Sequence, residues 1–181
     1  MFRTNAMLGA IALAGVASVA SADVTYTLTN QTFTGFNFIE AAGVGGLTGT
    51  LTGASINVTL LASTSFTYAD DLCIYLDSGA LSTGGAVQMG GFSNLSAGQR
   101  YFWPNGGSSA PGTTAIGSVS LTAPIVMDGS DLIVWIGNGY GAAGTSGTWS
   151  GTITLHGVDA VPAPGAIALL GLAGLAGRRR R

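Results

Sequence analysis

Wherever a period can be read between residues 23 and 160 it is two, and that one feature restricts the chain to strands. Val24-Thr25-Tyr26-Thr27-Leu28-Thr29 alternates apolar side chains with threonine, and Ser55-Ile56-Asn57-Val58-Thr59-Leu60 and Asp71-Leu72-Cys73-Ile74-Tyr75-Leu76 do the same. Ser118-Val119-Ser120-Leu121, Asp131-Leu132-Ile133-Val134-Trp135-Ile136 and Trp149-Ser150-Gly151-Thr152-Ile153-Thr154-Leu155 follow further on. Successive side chains of a strand point to opposite faces, so alternation gives one face to the core and the other to water. Threonine and β-branched residues favour that pleated surface. The separators are Gly-rich: 43–46, 82–85, 105–109 and 137–141. Gly and Asn reach positive φ at low cost and turn an antiparallel chain. No stretch of this region shows a capped 3.6-residue period. The pattern predicts one all-β domain, an antiparallel β-sandwich of about eight strands with Phe, Trp and Leu between its sheets. Residues 88–114 show the least pattern and are expected to hold the longest loop.

Charge narrows the functions open to such a domain. Only 8% of the 181 residues are charged, against about 25% in an ordinary soluble domain. Five of the six arginines lie near the ends, at Arg3 and Arg178 to Arg181, and there is no lysine. The stretch 23–160 carries eight carboxylates against Arg100, a net charge of −7. A phosphate backbone needs a cationic face, so nucleic-acid binding is disfavoured. One Cys excludes a disulfide framework or a thiolate zinc site within the chain. A single His without lysine removes most acid/base and nucleophile constellations.

The two ends read as addresses. Residues 1–22 have a short basic start, an uncharged apolar run from Ala6 to Ala20, and the small-x-small close Ala20-Ser21-Ala22 that a signal peptidase accepts. Cleavage there leaves Asp23 as the new N-terminus. At the other end Val161-Pro162-Ala163-Pro164 precedes an apolar run from Gly165 to Gly177 and then Arg178, Arg179, Arg180 and Arg181. Thirteen helical residues cover about 20 Å, against a hydrocarbon core of about 30 Å. With Val161 to Pro164 included and the arginines reaching headgroups, the segment nears a marginal span. The four arginines would hold that tip on the cytoplasmic side.

Paired prolines, an apolar helix and a terminal arginine cluster, in that order over residues 161–181, resemble the PEP-CTERM sorting signal of exported bacterial proteins. Pro162-Ala163-Pro164 stands where that family has Pro-Glu-Pro, and Val161 to Gly165 matches a variant ending of the form Val-Pro-Ala-Pro-Gly. The resemblance implies processing by a membrane-embedded exosortase after signal-peptidase cleavage, and transient inner-membrane association through the C-terminal helix. It also implies a bacterium with an outer membrane, and a destination at the cell surface or in the extracellular matrix. In the middle of the chain, residues 69–76 and 144–157 resemble the P domain attached to subtilisin-type proteases, with Asp77-Ser78-Gly79 in place of that family's Ser-Pro-Gly turn. This second resemblance implies a jelly-roll form of the sandwich and carries no site residues.

Three constellations are candidates for chemistry. Asp70 and Asp71 precede one strand, and Asp128 and Asp131 precede another. Such loop carboxylates can converge on Ca²⁺, although the same vocabulary also makes ordinary turns. Tyr101-Phe102-Trp103-Pro104 places three aromatics before a Pro/Gly-rich loop, with Trp103 expected to be exposed and, with Tyr101, to stack on sugar rings. Trp135 and Trp149 are expected in the core, and Tyr140 near a loop. His156 reads as a structural or exposed histidine, and Cys73 as a buried, inert thiol. No catalytic residue and no cofactor other than Ca²⁺ is expected. The chain therefore reads as an exported, noncatalytic structural or adhesive protein associated with exopolysaccharide. A carbohydrate-binding module is the alternative, and an exported hydrolase using two carboxylates a further one.

Overall fold

The computed structural model describes residues 23–79, 81 and 84–162. The expected signal helix at 1–22 lies outside the described residues. So do Ala163 to Gly165, the apolar C-terminal helix and Arg178 to Arg181. No helix among the described residues is long and apolar enough to cross a membrane.

The body is all-β. Among the described residues nine strands run in the order β1 (Val24–Thr34), β2 (Phe38–Ala42), β3 (Leu47–Thr64), β4 (Leu72–Asp77), β5 (Val87–Met89), β6 (Gln99–Tyr101), β7 (Thr114–Val126), β8 (Ile133–Asn138) and β9 (Ser146–Ala160). One short 3₁₀ turn, η1 (Ala69–Asp71), sits between β3 and β4. One sheet has the order β1-β9-β3-β7 and the other β2-β8-β4-β5-β6. The antiparallel pairs β1–β9, β2–β8, β3–β7 and β4–β5 are nested, as in one long hairpin folded over on itself. β3 also pairs with β9, and β4 with β8. β5–β6 is the one parallel pair among the described residues.

The alternation read in the sequence becomes a shared core. Leu28 and Phe33 of β1, Ile56, Val58 and Leu60 of β3, and Trp149, Ile153 and Leu155 of β9 are buried against Leu72, Ile74 and Leu76 of β4 and Val134 and Ile136 of β8. Along β3 the buried residues are odd-numbered at Leu47 and Leu51 and even-numbered from Ala54 to Leu60. The phase changes at the register shift between Leu51 and Gly53, because one unpaired residue inverts the faces that follow. Pro124 falls in the irregular stretch of edge strand β7 between Ser120 and Ile125, where a missing N–H breaks no ladder bond.

Two expectations need correction. The alternation at 71–76 predicts one solvated face, yet every residue of β4 is buried. The reason is a satellite cluster on the outer face, where Phe38, Cys73 and Tyr75 are covered by Leu81, Leu95, Ala97 and Trp135. The connection between β5 and β6 folds back over that face, and the Tyr75 hydroxyl donates to the Leu95 carbonyl at 2.8 Å. Trp135 accordingly lies outside the intersheet core: it is paired with Tyr75 across β4–β8 and only partly buried. Cys73 is fully buried, and burial pushes its thiol pKa up.

The topology gives the body two distinct ends. Asp23 begins β1 beside His156 and Gly157, where its carboxylate accepts a bond from the Gly157 N–H at 3.1 Å and lies 2.7 Å from His156 Nδ1. β9 finishes a few residues on, paired with the start of β3, and Val161 N–H bonds the Gly46 carbonyl. Both termini of the body therefore leave from one end. The connections after β3, β5, β6 and β8 gather at the other.

Candidate functional site

The far end carries a cleft of about 240 Å³ lined by Phe66, Tyr68, Asp70, Asp71, Gly91, Phe92, Phe102, Trp103 and Tyr140. Four connections contribute, and each is held by backbone bonds to another. Ala69 N–H donates to Ser108 O, Asp70 N–H to Gly106 O, Gly91 N–H to Asp70 O, and Gly139 N–H to Asp71 O. The loops are thus braced as one surface, and η1 is the hub.

Large apolar side chains ordinarily leave water, but here they do the reverse. Phe66 is 75% exposed, Phe92 72% and Phe102 59%, and Tyr68 is exposed beside them. Phe92 meets Tyr140 edge to face at 5.8 Å, and the Arg100 guanidinium lies 4.6 Å from the centre of the Phe102 ring. Ser65 and Phe66 both adopt left-handed backbone, at φ of 50° and 61°. That conformation costs a side-chain-bearing residue about 1–2 kcal/mol. Both residues are the centre of the turn closed by the Thr67 N–H to Thr64 O bond at 3.3 Å, and that turn holds the Phe66 ring out in water.

The acidic element is unevenly exposed. Asp71 is 5% exposed, and its Oδ2 accepts the Tyr68 N–H at 2.7 Å. Burial raises its pKa to about 6, with the nearby Asp70 charge adding and the backbone N–H groups of Tyr68 and Phe92 opposing. Burial also raises Asp70, whose side chain remains half-buried at the cleft. A folded-state pKa above the unfolded value means that the folded chain binds the proton more tightly. Ionised Asp71 thus penalises the fold above about pH 6, and the penalty is relieved as pH falls from about 6 toward 3.8. Because the cleft side is wet, the two-unit shift is worth at most about 3 kcal/mol. Denaturant unfolding of wild type and Asp71→Asn should therefore differ with pH, wild type gaining on the variant between about pH 6 and pH 4. A difference that stays flat over that interval contradicts the raised carboxyl.

The aromatic and acidic residues singled out in the sequence are redistributed. Trp103 does line the cleft, but it is 5% exposed and its indole N–H donates to the Leu72 carbonyl at 2.8 Å. It is a buried floor where an exposed stacking face is expected, because Gly90 leaves the space its ring edge occupies. Tyr101 does not line the cleft: its hydroxyl bonds Gln99 Oε1 at 2.7 Å and lies 2.9 Å from Thr122 Oγ1, which anchors β6 to β7. The four aspartates do not converge on a common cation either. Asp70 and Asp71 are at the cleft, whereas Asp128 accepts the Gly49 N–H at 3.0 Å near the opposite end, with Asp131 in the same connection. β7 runs between the two ends over 13 residues, about 40 Å at roughly 3.3 Å per residue. Among the described residues no three of His, Cys, Asp and Glu group closely enough to hold a metal. Phe66, Tyr68, Gly91 and Phe92 are the lining residues that sequence reasoning passed over. The available signal is Phe66-Thr67-Tyr68-Ala69-Asp70-Asp71, where two aromatics directly precede two acids.

No family model, curated protein or solved structure matches this chain.

Proposed function

We propose that this is an exported, noncatalytic protein of the cell surface or extracellular matrix, whose jelly-roll-like sandwich adheres to exopolysaccharide through the aromatic cleft. The nested pairing of β1 with β9, β2 with β8, β3 with β7 and β4 with β5 supports the jelly-roll form, in which a folded ribbon rolls into two sheets. The observation that carries the functional reading is the cluster of exposed rings at 66, 92 and 102. Aromatic faces stack on the apolar C–H faces of sugar rings, and a shallow cleft suits a polymer that runs past the molecule.

The expected address at each terminus fits this reading. A signal peptidase would cut before Asp23 and an exosortase-type enzyme would act at Val161 to Gly165. Asp23 and Val161, the described residues at these positions, lie at the end of the body remote from the cleft. The hydrolase alternative asks for two carboxyls across a scissile bond, whereas Asp71 is nearly buried and already accepts the Tyr68 N–H.

Retention on immobilised extracellular polysaccharide tests the proposal. Phe66→Ala combined with Phe92→Ala should cut retention about tenfold, at about 0.5–1.5 kcal/mol for each stacking contact. Both rings are largely in water, so the melting temperature should hold. Equal retention of wild type and the double variant removes the cleft from the function.

A further inference from the structure

We infer that the cleft selects amine-bearing sugars, whose protonated amino groups are drawn to Asp70 and the surrounding rings, over neutral and uronic-acid glycans. This deepens the proposal above and rests on it. The lining holds five exposed or half-exposed aromatics, two carboxylates and no Lys, Arg or His. The Trp103 indole N–H is already committed to Leu72 O, so the side-chain donors on the lining are the Tyr68 and Tyr140 hydroxyls. An ammonium group carries three donors and no acceptor, which matches a carboxylate beside aromatic faces.

The Arg100 guanidinium already covers the Phe102 ring and repels a second cation there, so an ammonium group is drawn to Asp70 and the other rings. One further observation favours a cation. The body between residues 23 and 160 carries −7, a field that attracts polyamines and repels polyuronates over roughly a Debye length, about 8 Å at physiological salt. Asp70 is the carboxylate available for contact: its neighbour Asp71 is nearly buried, while Asp70 itself is half-buried at the cleft.

The experiment compares retention of the full protein, at mildly acidic pH where the sugar amines are protonated and at physiological salt, on three immobilised polymers: a polyglucosamine, its N-acetylated form and a polyuronate. Two variants accompany wild type. Asp70→Asn removes one charge at the cleft, and Asp131→Asn removes one from an exposed position at the opposite end. Wild type should be held at least tenfold more strongly on the amine polymer than on the N-acetylated one. Asp70→Asn should lose most of that preference, Asp131→Asn should keep it, and neither should melt below wild type. Equal retention on the amine and N-acetylated polymers, or preference for the uronate, overturns the inference and leaves the glycan reading intact. Equal weakening by the two variants also overturns it, since attraction would then come from overall charge. Retention on none of the polymers, with the cleft variants indistinguishable from wild type on extracellular polysaccharide, overturns both readings.

Discussion

Trp149→Ala should lower the unfolding free energy by about 3–5 kcal/mol, the range for truncating a fully buried aromatic. Trp149 has no exposed surface, lies against Phe33 with ring centroids 6.1 Å apart, and donates its indole N–H to the Ala69 carbonyl at 3.1 Å. The loss therefore has two parts, a void in the intersheet core and an unpartnered carbonyl on η1. Trp149→Phe separates them: most of the ring volume stays, and the remaining cost should be nearer about 1–3 kcal/mol for the orphaned acceptor and the smaller ring. Ala69 immediately precedes Asp70 and Asp71, so both variants should also loosen the cleft. Guanidinium unfolding reads the stability. Near-wild-type stability of the alanine variant would contradict a close-packed core at this position, because domains of this size have only about 5–15 kcal/mol in total.

Gly151→Ala should cost about 3 kcal/mol or more, although it adds a single methyl group. Gly151 adopts φ of 138°, and a Cβ there would collide with the Asn57 carbonyl oxygen. It lies in β9 between two neighbours, opposite Leu28 on β1 and Val58 on β3, just where the β1 register shifts. Neither flanking strand can move aside without breaking its ladder. Gly112→Ala is the comparison, since φ is also positive there but the added Cβ would meet nothing within 4 Å. That variant should lose only the backbone term, about 1–2 kcal/mol. Thermal melts of the pair check the argument, and equal shifts would place the whole cost in backbone conformation.

These variants bear on what could be read before folding. The long strands β1, β3, β7 and β9 announce themselves because each has one face toward a core and one toward water along much of its length. β5 and β6 have three residues each, too few to show a period, and all of β5 is buried. β2 and the two-sided burial of β4 escape for a related reason: the outer face of the second sheet is covered by a connection whose docking leaves no local trace. The cleft was half legible. Asp70 and Asp71 stood out as a pair, and Phe102 and Tyr140 as aromatics near loops. Trp103 was expected in water because Pro and Gly follow it, yet the room left by Gly90 and the carbonyl of Leu72 draw it inward.

Alternation, the negative charge of the middle and the likeness of the ends to export signals are all properties of neighbouring residues, and the sequence alone determined them. Side-chain direction in a strand depends only on the pleat, so a reader of the chain sees it directly. Which loops share an end of the molecule was decided by the tertiary structure. Pairings such as Leu72 with Asn138 join residues far apart in the chain, and they bring Phe66, Asp70, Phe92, Phe102 and Tyr140 onto one surface. The same strand order sends Asp128 and Asp131 to the opposite end, because the length of β7 separates two turns that look alike in one dimension.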